Sequence, residues 1–203
     1  MLKSYYNIDA VEAGLDEVGR GCLAGPVVAA AVILPRDYTH LYLNDSKQLS
    51  KLQRVELEKE IIREAIAYAV AEVDNLEIDK INILKASFLA MHRAVDKLHV
   101  RPEHLLVDGN RFTPYPMIPH TCIIQGDAHY LSIAAASVLA KNYRDELMSE
   151  LGLHFPYYGW ESNVGYPTLH HRRAIREHGT CSYHRMSFKL LADEIISAEE
   201  ISS

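Results

Sequence analysis

Several features that would point to a secreted or membrane protein are scarce or missing in this sequence. Its 203 residues include only three cysteines, Cys22, Cys122 and Cys181, and no two of them have C-x-x-C spacing. An odd number of widely separated cysteines fits neither a disulfide framework nor a clustered zinc site. The start lacks a basic segment followed by an apolar one, and the longest apolar run, about residues 26–35, is too short to cross a bilayer. We therefore expect a cytoplasmic protein with reduced thiols and no membrane segment.

The sequence also lacks internal repeats, low-complexity tracts and a linker rich in proline, glycine or serine. A hydrophobic content of 48% over this length is sufficient for one substantial core. We predict a single domain over residues 1–203, with a core at about 11–188 and a C-terminal helix and tail at about 187–203.

An excess of positive charge is missing as well, because the formal net charge is −6. This balance argues against a protein that binds nucleic acid by bulk charge alone. The charges are unevenly distributed, however. Acidic residues concentrate near 56–64 and 193–200, whereas basic residues gather in "HHRRAIREH" and "HRMSFK", so one face can still be positive.

Hydrophobic periodicity predicts an α/β domain. Strands are predicted at 11–16, in "GPVVAAAVILP", in "AIAYAVAEVD", in "HLLVDGN" and in "TCIIQGD". Helices are predicted from a capping box at Ser50 and Gln53 to about 63, at 77–98, at 131–151 and at 187–198, and a short basic helix is predicted at the end of "FPYYGWESNVGYPTLHHRRAIREHG". Three successive strands followed by helix-separated strands favour a mixed five-stranded sheet with helices on both faces. A wholly parallel, doubly wound sheet is the alternative.

The segment "GLDEVGRGCLAG" contains a possible nucleotide-binding pattern. Gly19, Gly21 and Ala24 match the G-x-G-x-x-G/A dinucleotide fingerprint, which requires a helix immediately after the glycines. Here an apolar strand is expected to follow, and two carboxylates precede the turn, where they would repel phosphate. The sequence therefore disfavours an oxidoreductase with a nucleotide cofactor.

Carboxylates lie where predicted strands end. Asp16 and Asp108 each end a short apolar strand, Asp127 lies between a strand and a long helix, and Glu17 follows Asp16. Strand ends at one edge of a sheet converge, and clustered carboxylates repel one another unless a cation binds between them. Oxygen ligands without clustered cysteine or histidine suit Mg²⁺ or Mn²⁺. Taken singly, Asp127 is also a typical helix N-cap, and Asp108 a typical turn residue.

Six ordered motifs resemble one family. The motifs are "GLDEVGRGCLAGPVVAAAVIL", "LNDSKQLS", "LLVDGN", "QGD" with "SIAAASVLAKNYRDELM", "VGYPTLH" and "HRMSF". From about residue 11 to 188 the chain resembles bacterial type 2 ribonuclease H, ribonuclease HII. The resemblance implies a ribonuclease H-like fold and an endonuclease that uses two Mn²⁺ or Mg²⁺ ions. Its substrates would be the RNA strand of RNA–DNA hybrids and single ribonucleotides in duplex DNA, cut on their 5′ side.

The resemblance also implies roles for individual residues. Metal binding and catalysis fall to Asp16, Glu17, Asp108 and Asp127. Recognition of the ribose 2′-hydroxyl falls to Gly19, Arg20, Gly21 and Tyr166, and contacts to backbone phosphates fall to Ser46, Lys47 and Arg185. Trp160, Tyr157, Tyr158, His170 and His171 are interpreted as packing residues rather than as stacking or metal-binding groups.

One residue departs from the family pattern. Val164 stands where the family usually has lysine before "GYPT", so we expect weaker substrate affinity with the chemistry intact. Type 3 ribonuclease H is less similar because it usually has an additional N-terminal domain, and a non-catalytic binding module is disfavoured by the four retained carboxylates. The resemblance implies a monomer and leaves contact with a replication clamp open.

Overall fold

The computed structural model describes residues 2–40, 43 and 50–191. Within these residues, five strands form one sheet in the order β3-β2-β1-β4-β5. The strands are β1 Glu12–Val18, β2 Val27–Ile33, β3 Ala67–Val73, β4 His104–Asp108 and β5 His120–Ile123. The first three are antiparallel neighbours, whereas β4 and β5 run parallel to β1. The mixed sheet is therefore confirmed and the wholly parallel alternative is excluded.

The described helices are α1 Lys51–Glu64, α2 Asn75–Ile81, α3 Ile83–Asp96, α4 Leu131–His154, α5 Trp160–Asn163 and α6 Leu169–His178. The predicted capping box at the start of α1 is confirmed: the Ser50 hydroxyl accepts from the backbone of Gln53, whose side chain accepts in turn from the backbone of Ser50. Each side chain accepts a hydrogen bond from a backbone N–H group that has no acceptor within the helix.

Two predicted helices differ in the structure. The segment predicted as one helix at 77–98 is divided into α2 and α3 at Asn82, whose φ of 70° interrupts helical geometry. In the segment predicted as a helix at 187–198, residues 187–191 are not helical and the remainder lies outside the described residues. Strand β5 also ends at Ile123, and Asp127 lies in a short 3-10 turn, Gly126–Ala128.

The sheet is covered on both faces. Strand β2 is buried throughout and directs alternate side chains to two hydrophobic clusters, one packed against α3 and the other against α1 and α4. Close packing of α4 on β1 depends on Gly14, because a Cβ atom there would lie 2.2 Å from the carbonyl carbon of Ser132. This contact brings the first turns of α4 beside the strand that carries Asp16.

A third buried cluster lies at the end of α4. The turn formed by Gly19, Arg20 and Gly21 is called the glycine turn below. Leu23 and Ala24, which follow it, pack here with Met148, Trp160 and Ile175. The C-terminal segments are thereby fixed against the turn that precedes β2. None of the helices in the described ranges is long and apolar enough to span a membrane.

Candidate active site

Parallel pairing of β1 and β4 brings two of the predicted acids together. Leu15 pairs with Val107, so Asp16 and Asp108 follow at adjacent positions on the same sheet edge. Asp127 approaches from the turn before α4. All three, together with Glu17 and Tyr166, line one cleft of about 370 Å³. The structure therefore brings the four predicted carboxylates and the predicted tyrosine to a common opening.

Asp16 is the most strongly perturbed of these acids. Its side chain is buried, and this burial raises the pKa of its carboxyl well above the usual value, with further increases from the Asp108 and Glu17 carboxylates. A hydrogen bond with Ser137 on α4 and one from the backbone N–H of Glu17 at 2.7 Å oppose this increase. The isolated protein therefore disfavours the negative charge that this position would carry as a metal ligand.

Only one of the two carboxylate oxygens of Glu17 has a hydrogen-bond partner among the described residues. Burial raises the pKa of its carboxyl, and the guanidinium of Arg20, 3.0 Å from Oε1, opposes that increase. No group of the described residues forms a hydrogen bond with the buried Oε2 atom. A buried carboxylate oxygen without a donor is unfavourable, and a cation in the cleft would satisfy it.

Asp108 is oriented by the backbone that follows β5. Its Oδ1 atom accepts a hydrogen bond of 2.7 Å from the backbone N–H of Gly126. Gly109 continues the β-type pairing by donating to Ile123 at 2.9 Å. The turn that contains Asp127 is thus tied to the end of β4, which keeps the two acids on the same side of the cleft.

The donor set suits a hard divalent cation. The four side chains supply only oxygen atoms, and positive charge would relieve the burial of Asp16 and Glu17 and their repulsion by Asp108. Across residues 2–40, 43 and 50–191, no three His, Cys, Asp or Glu side chains are already arranged as a metal-binding group. The carboxylates therefore border the same cleft without being closed around one point.

Two cations at the cleft were missed by the sequence reasoning. Arg54 of α1 and Lys141 of α4 line the opening, and Asp145 binds both, with its Oδ2 3.3 Å from Arg54 and its Oδ1 2.5 Å from Lys141. The i, i+4 spacing of Lys141 and Asp145 on a helix was the available signal for one of these contacts. The pairing of α1 with α4 cannot be inferred from spacing alone.

The turn after β1 does not open a helix. Residues 19–26 lead by turns and a β-bridge into β2, so the geometry required for a dinucleotide site is absent from this described segment. A Cβ atom on Gly21 would have Tyr166 Cε1 as its nearest neighbour, at 4.0 Å. Gly21 therefore leaves open space that faces the tyrosine.

Of the three residues predicted to contact phosphates, the structure describes Arg185. Ser46 and Lys47 lie outside the described residues. Arg185 is fully buried, and its guanidinium donates to the carbonyl oxygens of Arg20 and Gly25, both at 3.0 Å. Burial lowers the pKa of Arg185 to about 10. In this position Arg185 supports the glycine turn from inside, and its contact to a phosphate stays a prediction.

The aromatic and histidine residues behind Tyr166 are mainly packing residues. Trp160 and Tyr158 are buried, as expected, whereas Tyr157 is exposed and stacks on His178 with ring centroids 4.2 Å apart. His171 is also buried, and its Nδ1 lies 2.9 Å from the carbonyl oxygen of Tyr166. His171 therefore holds the main chain of the tyrosine.

Solved structures share this architecture. Ribonuclease H2 from Pyrococcus horikoshii OT3 is 24% identical, with a TM-score of 0.73 over 88% of this chain and 94% of that chain. RNase HII from Archaeoglobus fulgidus, solved in complex with PCNA, is 27% identical, with a TM-score of 0.71 over 91% of this chain and 98% of that one. The first comparison supports the fold alone, and the PCNA contact belongs to the archaeal protein.

The fold and the acidic cleft define a nuclease of the ribonuclease H class. The family model for ribonuclease HII matches residues 13–191. Ribonuclease HII from Bacteroides thetaiotaomicron is 63% identical over 193 residues, which are 95% of this chain and 96% of that protein. The chain belongs to the ribonuclease HII family, and it is an endonuclease that degrades RNA in RNA–DNA hybrids.

Proposed function

We propose that this enzyme also incises duplex DNA on the 5′ side of single embedded ribonucleotides, leaving 3′-hydroxyl and 5′-phosphate ends. The observation that carries the proposal is the adjacency of Gly21 and Tyr166 at the strand end that holds Asp16 and Glu17. A surface that can recognise one sugar therefore adjoins the acidic cleft.

The glycine turn and Tyr166 suit recognition of a 2′-hydroxyl. This hydroxyl distinguishes RNA from DNA at a single position. Gly21 leaves its backbone open to a sugar, and Tyr166 is partly exposed beside it. In this proposal the tyrosine ring packs on the neighbouring sugar while main-chain groups of Gly19, Arg20 and Gly21 bond the 2′-oxygen.

In this proposal Asp16, Glu17, Asp108 and Asp127 hold divalent cations, Mg²⁺ or Mn²⁺. When bound, such ions activate a water molecule and stabilise the departing oxygen of a phosphodiester. Asp16 would be the ligand most dependent on a bound cation, because it is the most buried of the four acids and is repelled by both Glu17 and Asp108.

The cations at the cleft complete the proposal. Asp145 holds Arg54 and Lys141 beside the carboxylates. A nucleic-acid strand brings phosphates toward a site that is otherwise acidic, and these two side chains offset that repulsion. The net charge of −6 is therefore compatible with a locally cationic margin.

Replacement of Asp16 tests the metal assignment. Asp16→Asn keeps the side-chain shape and removes a carboxylate that burial and neighbouring acids disfavour. We expect unchanged or increased thermal stability, with cleavage reduced by at least about a hundredfold, because a direct ligand should matter at least as much as an outer-shell partner.

The measurement is cleavage of a labelled duplex with one ribonucleotide, mapped to the nucleotide with Mg²⁺, with Mn²⁺ and without either. Asp9→Asn, at an exposed position, is the matched control. Wild-type rates for Asp16→Asn would refute the metal assignment, and a cut on the 3′ side of the ribonucleotide would refute the proposed incision.

A further inference from the structure

A fully buried arginine lies behind the glycine turn. Arg144 comes from the middle of α4 and has no exposed surface. Its Nε donates to the carbonyl oxygen of Pro26 at 3.0 Å, and its Nη2 donates to that of Ala24 at 3.1 Å. Its Nη1 donates to the carbonyl oxygen of Val164 at 2.7 Å. One side chain thus binds the segment after the glycine turn and also the residue two positions before Tyr166.

The two segments that Arg144 binds are direct neighbours. The backbone N–H of Leu23 donates to the carbonyl oxygen of Gly165 at 2.8 Å. A Cβ atom on Gly165 would lie 2.8 Å from the carbonyl oxygen of Ala24. The spacing between the glycine turn and Tyr166 is therefore set by close main-chain contact, and the guanidinium of Arg144 bridges that contact.

The two glycines of the turn have different surroundings. A Cβ atom on Gly19 would lie 2.2 Å from Nε of Arg144, and the φ of Gly19 is 93°. A Cβ atom on Gly21 meets only the edge of Tyr166. Gly19 is thus required for close packing of Arg144, whereas Gly21 leaves space for a ligand.

A guanidinium suits this position better than other cations. Three donors of one planar group reach three carbonyl oxygens on two segments, which a single ammonium group cannot reproduce. Burying a charge against neutral acceptors is unfavourable compared with an apolar side chain of similar size. Its presence is consistent with a role in fixing relative positions rather than in stability alone.

We propose that Arg144 is a positioning residue for sugar recognition: it sets the spacing between the glycine turn and Tyr166 and thereby the preference for a ribonucleotide over a deoxyribonucleotide. This inference rests on the proposed incision at single ribonucleotides. Arg144 acts through Gly19 and the main chain beside Tyr166, without touching the substrate.

The test is Arg144→Lys, which keeps the positive charge but loses the planar guanidinium group that donates to three carbonyl oxygens. Two quantities are measured: kcat/KM on a duplex with one ribonucleotide, and the inhibition constant of the same duplex made entirely of DNA. We expect kcat/KM to fall about tenfold, as for loss of one well-placed hydrogen bond to the sugar, and the inhibition constant to change less than about twofold. Hydrogen exchange at the Leu23 amide should accelerate, because its bond to Gly165 loses support.

Gly19→Ala is the second variant, because its Cβ displaces Arg144 while keeping the guanidinium. It should show the same selective loss. Arg101→Lys is the control: Arg101 is exposed and precedes β4, at the sheet end opposite Asp108. All variants are compared by thermal melting.

The outcomes separate this inference from the proposed function. Failure of the wild-type enzyme to cut at a single ribonucleotide would refute the proposed function itself. If the wild type cuts there, unchanged kcat/KM in Arg144→Lys would overturn the positioning role, as would equal losses in both measured quantities. Failure of both variants to fold would also overturn it, because Arg144 would then determine folding instead of selectivity.

Discussion

Val164 combines a departure from the family pattern with a strained backbone. Its φ and ψ are 43° and 34°, in the left-handed region, which is unfavourable for a β-branched residue. Left-handed geometry costs an ordinary residue roughly 1–2 kcal/mol. Two hydrogen bonds hold this conformation. Arg144 donates to the carbonyl oxygen of Val164, and the backbone N–H of Val164 donates to the carbonyl oxygen of Trp160 at 3.0 Å. The surroundings therefore impose this geometry on valine.

Two substitutions separate strain from charge at this position. Val164→Lys and Val164→Gln both remove the β-branch, so both should increase the free energy of unfolding by a similar amount, up to about 1 kcal/mol. Lysine alone adds a cation two residues before Tyr166. We expect Val164→Lys to bind duplex substrate more tightly and to steepen the salt dependence of binding by about one phosphate contact.

The measurements are urea unfolding and duplex affinity over a range of salt concentrations. Equal affinity and equal salt slopes for the lysine and glutamine variants would show that the missing cation does not weaken binding in this chain. A decrease in stability in both variants would show that valine packing outweighs its backbone strain.

Single residues differ in how far the sequence predicts them. Asp16 and Asp108 were placed correctly because strand ends of parallel neighbours coincide. The main-chain contacts of Arg185 and Arg144 were not predicted, because their acceptors are backbone carbonyl oxygens, which carry no residue-specific signal. Burial of an arginine follows from three-dimensional packing. A motif that contains "HR" is therefore equally compatible with a buried arginine and with one exposed at the surface.

At the scale of elements, Asn82 determines how one side of the sheet is covered. It ends α2 and begins α3, and its side-chain oxygen accepts from the backbone N–H groups of Leu84 and Lys85 at 3.0 and 3.1 Å. Its positive φ turns the chain between the two helices. The apolar periodicity of the segment continues through this residue, which is why the sequence predicted one helix.

Asn82→Ala should reduce stability through two effects. The variant loses the N-cap of α3, which is worth about 1 kcal/mol, and places a Cβ-bearing residue without a local hydrogen bond in positive-φ geometry. We expect the free energy of unfolding to fall by about 2 kcal/mol in urea denaturation. Asn82→Gly, which tolerates the φ but lacks the cap oxygen, should lose clearly less. Equal losses in the two variants would mean that the backbone angle contributes nothing.

Elements with a strong pattern were predictable. Strand β3 alternates between buried and less buried residues, and β2 is buried on both faces, so period and continuous apolarity identified them. Strand β5 is only four residues long and is never fully buried, so its end was placed too late. Short elements are defined by their neighbours more than by their own sequence.

At the scale of the whole molecule, two buried histidines join the C-terminal segments to the site. His171 Nδ1 donates to the carbonyl of Tyr166, and its Nε2 accepts from Trp160 Nε1 at 3.1 Å. His184 Nε2 lies 3.2 Å from His171 Nε2 and must donate to it, whereas its Nδ1 accepts from the backbone N–H of Cys181. The single lone pair of His171 Nε2 is shared between the N–H groups of Trp160 and His184. This arrangement requires both rings to be neutral.

Burial, with a smaller contribution from His171, lowers the pKa of His184 from 6.5 to about 4. Burial also lowers the pKa of His171. In the unfolded chain His184 binds a proton as the pH falls through its ordinary value, while the folded protein keeps the ring neutral. The stabilisation from the neutral ring is therefore complete above about pH 6.5 and decreases as the pH falls toward 4.

The pH dependence of unfolding tests whether this neutral network holds the molecule together. Lowering the pH from about 6.5 to about 5 should remove roughly 2 kcal/mol through His184 alone. Raised pKa values at Asp16 and Glu17 act with the opposite sign, because the folded protein retains their protons to higher pH. The wild-type stability curve alone is therefore not sufficient.

The difference between the stability curves of wild type and His184→Gln isolates the contribution of the histidine. The free energy of unfolding of His184→Gln should be lower near neutrality and should change by roughly 2 kcal/mol less between about pH 6.5 and about pH 5. His99→Gln, at an exposed position, is the matched control. Parallel curves for wild type and His184→Gln would mean that His184 takes up its proton without unfolding the C-terminal segments, and that the link to Tyr166 survives protonation.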